Sequence, residues 1–457
     1  MRKLILILTT LFISFYTTAQ ENVKKCGTTQ LVKWEKQNNP DYKNLLNNFY
    51  QGIKEWQNDK KFNTITTIPI VVHIIHRQNH STIGSGTNIS DVQVQNVLGI
   101  LNEDFRKLNP EFPNPPRNTF SNFAGDSEIE FCLATTDQNG NSTSGITRTA
   151  STKTNFDCDD NADRTAMKRD LTGGKDGWNP LKYLNIWVCD LWNSQGGGQT
   201  LGFSYLPGVQ SSSWNAWKDG LVVDFQHFGD TLQAGNSDGR TPTHEVGHYL
   251  GLYHTFCEDE DSQGNPICCD NDNTIFGGFV DDTPATKDIY YGSVNSSTPS
   301  TSSPDYNSCD DLNYGFNTNY PDMHENFMSY AKEPWMFTHK QINVMHYTLN
   351  QTWSNGGRLE LKNSNGCLLT AIDEIINTNL ITIYPNPSRG LVNFKLAINL
   401  RFKKITIQNI LGKRLMSLNN IKSKQFTLDL SSFPNGIYFV TFSTSKGVSI
   451  KKIVITN

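Results

Sequence analysis

The pattern of apolar and polar positions predicts that a folded domain begins near residue 63. The stretch ITTIPIVVHIIH, from Ile65, is rich in β-branched residues and is typical of a buried strand. After it, Ser90 and Gln93 form a capping-box pattern at the start of a predicted helix. The apolar residues of this helix recur at helical spacing, and they are Val94, Val97, Leu98, Leu101, Phe105 and Leu108. A strand followed by a helix indicates an α/β or α+β domain.

Further strands are predicted in the stretches SEIEFCLAT, KYLNIWVCDLW and GLVVDFQHFG. The last, which begins at Gly220, is a candidate edge strand lining a cleft. Between about residues 257 and 325 the chain is rich in Ser, Asp, Asn, Pro and Gly, which predicts mostly loop with cysteines as staples.

From about residue 377, short alternating segments separated by Pro, Asn and Gly turns predict a small all-β sandwich. We therefore expect an α+β domain over residues 63–360, a linker over 361–376 and a β-sandwich over 377–457.

The beginning of the chain predicts export. Arg2 and Lys3 precede an apolar run, and Thr17 and Ala19 have the spacing of a signal-peptidase site, so residues 1–19 are predicted to be a secretory signal peptide. The alternative is a membrane anchor, but the run is shorter than the ~20 residues that a spanning helix needs. We expect no transmembrane segment elsewhere.

Charge and cysteine content add two expectations. The 40 basic and 44 acidic residues give a net charge of −4 with no basic block, so nucleic acid is not an expected partner. Nine cysteines in an exported chain predict disulfides, and the odd number leaves at least one thiol over. Residues 20–62 are polar with spaced aromatic residues, which predicts a small helical segment that packs on another part of the protein.

The stretch THEVGHYLGLYHTF holds three of the ten histidines of the chain. His244 and His248 are four residues apart, so on a helix their rings share one face and can bind one metal ion. A left-handed Gly251 would end the helix and deliver His254 as a third ligand. The alternative is that these are ordinary surface or core histidines.

The same stretch predicts catalysis. Thr241 and Pro242 suit the N-cap and the first helical position. Three neutral imidazoles and a water form the open tetrahedral set of a catalytic zinc, whereas a structural zinc is closed by a fourth protein ligand. Glu245 can take a proton from the zinc-bound water as it attacks a carbonyl and pass it to the leaving amine.

HExxHxxGxxH is the metzincin signature, and over about residues 63–350 the chain resembles the pappalysin or cytophagalysin branch of that clan. The stretches that carry the resemblance are IPIVVHIIH, LNEDFRKLN, IEFCLA, SGITRT, YLNIWVCDL, GRTPTHEVGHYLGLYHTF, VDDTPA and NFMSYAKEPWMFTHKQ. It implies a two-lobed α+β catalytic domain, with a twisted sheet and the zinc helix in an upper lobe and a lower lobe that is mostly loop.

The resemblance also implies roles for residues outside the histidine stretch. Met328 would be the Met-turn methionine beneath the zinc, and Tyr330 the tyrosine that hydrogen-bonds the tetrahedral intermediate. Glu333 matches an acidic position of the S1′ pocket, which implies cleavage next to Arg or Lys. Taken alone, these three would be a core methionine, a buried tyrosine and a solvated glutamate.

Cys26 in CGT resembles the cysteine of a pro-segment switch, whose thiolate occupies the open zinc position. This implies that residues 20–62 are a pro-segment, and that eight cysteines remain to pair once it is removed. The alternative is that Cys26 belongs to an ordinary disulfide.

The sequence departs from the family in two places. Trp335 stands where many relatives carry a cysteine, so that disulfide is absent or rewired, and Cys309 has three candidate partners: Cys257, Cys268 and Cys269. Gly278 stands where relatives tend to have a calcium-binding aspartate. The remaining candidate calcium ligands are Asp281, Asp282 and the carbonyl of Thr283.

The C-terminal region resembles the type A sorting domain of type IX secretion in YPNPSRG, ITIQNILGKRL, LDLSSFPNGIYFVTF and KKIVI. This implies that the type IX machinery exports the protein through the outer membrane. The alternative is a generic β-sandwich that binds carbohydrate or protein.

Together these features predict a secreted or cell-surface zinc endopeptidase that acts on proteins or peptides. Two alternatives belong to other classes: a non-catalytic adhesin or binding protein on a metzincin scaffold, and a purely structural zinc domain. The presence of Glu245 argues against the first, and the lack of a fourth ligand in the motif argues against the second.

Overall fold

The computed structural model describes residues 25–56, 64–112, 114–194, 198–208, 216–269, 280–294, 307–332, 334–367, 381–396, 402–409, 414–421, 425–444 and 448–456. These residues belong to two compact units: those within 1–134 and 144–365 form the first, and those within 135–143 and 366–457 form the second. The predicted signal peptide, residues 368–376 of the predicted linker, Gly278 and Glu333 lie outside the described residues.

A mostly parallel sheet is the frame of the first unit. The described strands of this unit are β1 (Thr66–Arg77), β2 (Ile129–Leu133), β3 (Ile146–Ser151), β4 (Phe156–Asp157), β5 (Leu184–Cys189), β6 (Leu191–Trp192), β7 (Gly202–Ser204) and β8 (Leu221–Asp224). The sheet order is β2-β1-β5-β8-β7, and β3 also pairs with β1. β7 is antiparallel to β8, whereas the other pairings in this sheet are parallel.

The expectation that the strand after Gly220 lies at the sheet edge is wrong. β8 is buried along its length and lies between β5 and β7. The edge strand is β7, which has only three residues and therefore produces no alternating pattern that could predict it.

Seven α-helices are described, and they are α1 (Thr28–Asn38), α2 (Pro40–Glu55), α3 (Asp91–Phe105), α4 (Asn161–Ala166), α5 (Thr241–Tyr249), α6 (His339–Asn350) and α7 (Leu359–Lys362). In α3, the Ser90 side chain accepts from Gln93 N as predicted. The Gln93 side chain instead donates to the carbonyls of Phe225 and Phe228. Leu108 lies beyond the helix and is 69% exposed, because the chain turns at Lys107, where φ is 52°.

The N-terminal segment, residues 25–56, packs on the first unit through both of its helices. In α2, Tyr42, Leu46, Phe49 and Tyr50 are fully buried and join the main hydrophobic core. In α1, Glu35 forms a buried ion pair with Lys218, 2.6 Å apart. The segment is therefore an integral part of this folded unit.

Disulfides fasten the loop-rich part of the first unit. Cys309 pairs with Cys268, and Cys257 pairs with Cys269, which resolves the three candidate partners. Trp335 is fully buried, with its ring centroid 5.1 Å from that of Phe112.

The expectation that eight cysteines would pair is wrong, because Cys158 and Cys189, like Cys26, form no disulfide within the described part of the chain. Both are buried in the main hydrophobic core, and the Cys158 thiol also donates to the Thr200 hydroxyl at 3.1 Å.

The second unit confirms the predicted β-sandwich. Its strands are β9 (Ile381–Tyr384), β10 (Leu391–Leu396), β11 (Phe402–Asn409), β12 (Arg414–Ile421), β13 (Gln425–Asp429), β14 (Gly436–Thr444) and β15 (Val448–Ile455). They form two antiparallel sheets, β13-β10-β9 and β12-β11-β14-β15. Buried side chains from both sheets, such as Phe394 and Phe442, share one core, so the predicted fold class holds for both units. Among the described residues, no helix has both the length and the apolar character needed to cross a membrane.

A buried ion pair at the end of α5 generates a stability prediction. The Arg358 guanidinium donates to Asp219 Oδ2 at 2.7 Å and to the Tyr249 carbonyl at 3.0 Å, and both charged side chains are buried. We expect Arg358→Met to lower the free energy of unfolding by about 3–5 kcal/mol, because Asp219 is left buried and unpaired. Denaturant titration measures this change.

Two further variants test the cause. Arg169→Met breaks an exposed pair with Asp176 and should cost at most about 1 kcal/mol. Adding Asp219→Leu to Arg358→Met should recover part of the loss. A double variant that is less stable than the single one would contradict this explanation.

Candidate metal centre

Helix α5 carries the histidine stretch and is buried along its whole length. It begins one residue earlier than predicted, since Arg240 and not Thr241 occupies the N-cap, and Pro242 lies in the first turn. The Arg240 side chain pairs with Asp104 at 2.8 Å, and Asp104 also accepts from the Thr243 hydroxyl at 2.6 Å. The start of α5 is thereby tied to the end of α3.

Gly251 ends α5 as the sequence predicts. Its φ is +100°, a conformation that glycine adopts without a steric penalty. The Tyr50 hydroxyl donates to the Gly251 carbonyl at 2.8 Å, so α2 supports this turn. The turn brings His254 back beside the helix.

The three predicted histidine ligands meet at one point. The Nε2 atoms of His244, His248 and His254 lie 3.1 Å from one another. Ligands that share one zinc at Zn–N distances of ~2.0 Å lie at about this spacing. All three side chains are buried.

The opposite ring nitrogens explain why a cation fits here. Nδ1 of His244 and of His248 lie 2.7 Å from the carbonyl oxygens of Phe327 and Leu252. Nδ1 of His254 lies 3.1 Å from Glu258 Oε2. Each Nδ1 therefore carries the proton, and three Nε2 lone pairs face one another without a donor between them. Burial also holds the pKa values of His244 and His248 well below normal, so these rings stay neutral ligands.

Cys26 completes this set. Its Sγ and the ligand atoms of the three histidines all lie within 4.8 Å of one another. Burial, followed by the charge of Glu245, raises the pKa of the Cys26 thiol well above its usual range. Without a cation beside it, this thiol would therefore be protonated.

Glu245 is fully buried beside the N-terminal segment. Its Oε2 accepts from the Thr28 hydroxyl at 3.4 Å, and its Oε1 has no hydrogen-bond partner within the described part of the chain. Burial raises the pKa of Glu245 to about 8. A Cβ on Gly202, in the edge strand β7, would lie only 3.0 Å from Glu245 Cγ, so glycine makes room for this carboxylate.

Met328 and Tyr330 also lie at the site. Met328 is fully buried, and a Cβ on Gly247 of α5 would be only 2.4 Å from its Sδ. The Tyr330 hydroxyl donates to the Cys26 carbonyl at 3.3 Å, and its ring centroid is 4.9 Å from that of His254.

A cavity of about 540 Å³ opens beside His244 and includes Lys25, Asp238 and Tyr330 in its lining. Lys25 Nζ donates to the Ala331 carbonyl at 3.1 Å. Burial lowers the pKa of Lys25, and the charge of Asp238 acts in the opposite direction. Glu333 follows Lys332 in the sequence but lies outside the described residues, so its role stays a prediction.

The candidate calcium ligands have other partners. Asp282 accepts from the Thr338 hydroxyl at 2.6 Å and from Lys340 N at 2.9 Å, at the start of α6. Asp281 lies 3.5 Å from Lys340 Nζ, and the Thr283 hydroxyl donates to the Val280 carbonyl. Calcium binding therefore stays a prediction.

Sequence reasoning missed several residues of the site, among them two glycines and two polar residues, as well as Lys25 and Asp238 of the cavity. Gly247 leaves room for Met328, and Gly202 leaves room for Glu245. In both cases the neighbour comes from a distant segment of the chain, so the local sequence does not reveal the contact. Thr28 follows the candidate ligand Cys26 by two residues, and Glu258 follows His254 by four. A polar side chain so close to a candidate ligand in the sequence is the signal that could have identified each of them.

Comparison with known proteins gives a match for each unit. Residues 168–350 match the peptidase family model described as pregnancy-associated plasma protein-A. Residues 382–456 match the model described as a secretion system C-terminal sorting domain.

Among curated proteins, an extracellular metalloprotease of Arthroderma otae is 38% identical over 122 residues, which are 27% of this chain and 37% of the relative. Another from Arthroderma gypseum is 26% identical over 251 residues, which are 55% of this chain and 66% of the relative. The match thus spans less than two thirds of these relatives.

Among solved structures, a promirolysin mutant of Tannerella forsythia is 30% identical, with a TM-score of 0.59 over 76% of this chain and 99% of the other. Mature mirolysin of the same organism, in complex with a cleaved peptide, is 33% identical, with a TM-score of 0.53 over 68% of this chain and 99% of the other.

The contact between Gly247 and Met328 generates a second prediction. Alanine normally stabilises a helix relative to glycine by about 1 kcal/mol. We expect Gly247→Ala to do the opposite and to lower the melting temperature, because the new Cβ would push Met328 away from the helix that carries the histidines.

Gly99→Ala is the matched control. Gly99 lies in α3, where an added Cβ meets nothing within 4 Å, so this variant should be stabilised by about 0.5–1 kcal/mol. If Gly247→Ala and Gly99→Ala raised the melting temperature equally, the close approach of Met328 to Gly247 would not contribute to stability.

Proposed function

The chain belongs to the pappalysin family of metzincin metalloproteases and ends in a type IX secretion sorting domain, and on this premise we propose that it is a secreted zinc endopeptidase. The observation that carries the proposal is the convergence of three buried Nε2 atoms beside Glu245. The proposed domain plan is a signal peptide at 1–19, a pro-segment at 20–62, the catalytic domain at 63–360, a linker at 361–376 and the sorting domain at 377–457.

In the proposed mechanism, His244, His248 and His254 would hold the zinc. When bound, zinc supplies a polarised water and a positive charge near the substrate carbonyl. Glu245 would accept the proton of the attacking water at a carboxylate oxygen and deliver it to the leaving nitrogen. The Tyr330 hydroxyl donates a hydrogen bond to the oxyanion once the N-terminal segment has left.

The N-terminal segment is proposed to keep the full chain latent. Cys26 would close the fourth ligand position, and the Tyr330 hydroxyl is already bonded to the Cys26 carbonyl. Gly27 N donates to Gly202 O at 2.8 Å, and Ser204 N donates to the Thr28 hydroxyl at 3.0 Å, so the segment covers the edge strand β7. An extended substrate would need the same edge.

We also propose a preference for Arg or Lys next to the scissile bond. Lys25 supports it, because this basic side chain already lies in the cavity beside His244, under the influence of Asp238. Glu333 would add a second negative charge near the same cavity.

The catalytic role of Glu245 is tested with a peptide library. We expect the activated protein to cleave it, and Glu245→Ala to lose about 10²–10⁴-fold in rate, because the general base is gone. A chelator should abolish cleavage, and added zinc should restore it. A folded, zinc-loaded protein that cleaves nothing would instead favour a non-catalytic adhesin or binding protein.

Latency is tested in the unprocessed full chain. We expect Cys26→Ala to gain partial peptide cleavage without prior processing, because a water can then take the fourth ligand position while the segment still covers β7. Cys158→Ala, which removes another buried thiol that is outside the disulfides, should stay latent. If both variants are equally inactive before processing, the Cys26 side chain is not what keeps the full chain latent.

Substrate preference is tested at the cavity. We expect Asp238→Asn and Glu333→Gln each to lower the ratio of kcat/KM for Arg or Lys over Met by about tenfold, equivalent to ~1.4 kcal/mol. Asp230→Asn, an exposed acid outside the cavity lining, should leave the ratio unchanged. An unchanged ratio in both cavity variants would remove the basis for the preference.

A further inference from the structure

Glu258, four residues after the third histidine, is placed to control the metal centre. Its Oε2 lies 3.1 Å from His254 Nδ1, whereas His244 and His248 direct Nδ1 to backbone carbonyls. His254 thus differs from the other two ligands in having a charged partner.

The surroundings of Glu258 fix its position. The preceding residue, Cys257, is held by the disulfide to Cys269, and its N–H donates to the Thr286 carbonyl at 2.7 Å. The His254 ring stacks on Phe256, with centroids 4.7 Å apart and planes 10° apart. The carboxylate and the ring therefore meet in a geometry that the backbone and the ring stack both support.

The N-terminal segment contacts the same carboxylate. The Thr29 hydroxyl donates a short hydrogen bond to Glu258 Oε2, which is the oxygen nearest to His254 Nδ1. The Glu258 side chain is 27% exposed, in contrast to the buried His254. An exposed ion pair contributes little to the stability of a fold. Any larger effect of the Glu258 carboxylate must therefore act through the His254 imidazole.

We propose that Glu258 is a positioning residue for zinc, which holds the Nδ1–H tautomer of His254 and makes its Nε2 a stronger ligand. The inference rests on the proposed function, because it needs zinc at the histidine site. Carboxylates that accept from the far nitrogen of a ligating histidine typically change metal affinity by about 10–100-fold. The Thr29 hydroxyl shares the carboxylate in the full chain and leaves it to His254 alone after removal of the segment.

Zinc affinity of the full-length chain, measured by competition with a chromophoric chelator, tests the proposal. We expect Glu258→Ala to weaken zinc binding about 10–100-fold. Glu258→Gln keeps an acceptor without the charge and should have an intermediate effect. The absorption spectrum of the cobalt-substituted protein should shift in the same order, since the donor strength of His254 changes.

Two controls separate this effect from general damage. Glu260→Gln removes an exposed carboxylate two residues away and should leave zinc affinity unchanged. Thr29→Val removes the other hydrogen bond to Glu258, and zinc affinity should not fall. Equal melting temperatures of the metal-free proteins would show that the fold is intact.

The outcomes distinguish the two proposals. Affinity of Glu258→Ala within twofold of the wild type, with an unshifted cobalt spectrum, would overturn the positioning role alone. A loss in Thr29→Val as large as in Glu258→Ala would overturn it as well, by assigning the effect to docking of the segment. A wild-type chain that binds no zinc would overturn the proposed function itself.

Discussion

The convergence of three imidazole lone pairs in a buried space is the constraint on which the rest of this unit depends. Each ring is held by an oxygen from a different place: Phe327 in the loop-rich part, Leu252 in the turn after α5, and Glu258 beyond His254. A bound cation would satisfy the lone pairs on one side, while these oxygens lie beside the Nδ1 atoms on the other. Helix, turn and loops must therefore all be in place before the site exists.

Local signals predicted much of the site, whereas long-range contacts could not be predicted from the sequence. The four-residue spacing of His244 and His248 and the left-handed Gly251 are properties of one helix and one turn, so the sequence contains them directly. The approach of Met328 to Gly247 joins segments that are about 80 residues apart. No periodic pattern records such a contact.

The fold shows the same division. The long strand β1 and helix α3 have enough residues to display a period, and both were predicted. The three-residue β7 was not, and the strand expected at the edge proved to be internal. Disulfide partners were left open because the pairing of Cys268 with Cys309 depends on the path of the loops. The burial of α2 could not be predicted either, because its partners, such as Gly251 and Tyr347, lie far away in the sequence.

The hydrogen bond between Gly27 and the edge strand β7 also affects the risk that the protein aggregates during export. An uncovered edge strand offers free N–H and C=O groups to any extended chain, including another copy of itself, and is a site of aggregation. In the full chain that edge is covered by an intramolecular partner. The contact proposed to keep the enzyme latent would thus also protect it from aggregation in a crowded compartment. Removal of the N-terminal segment would end both the latency and this protection.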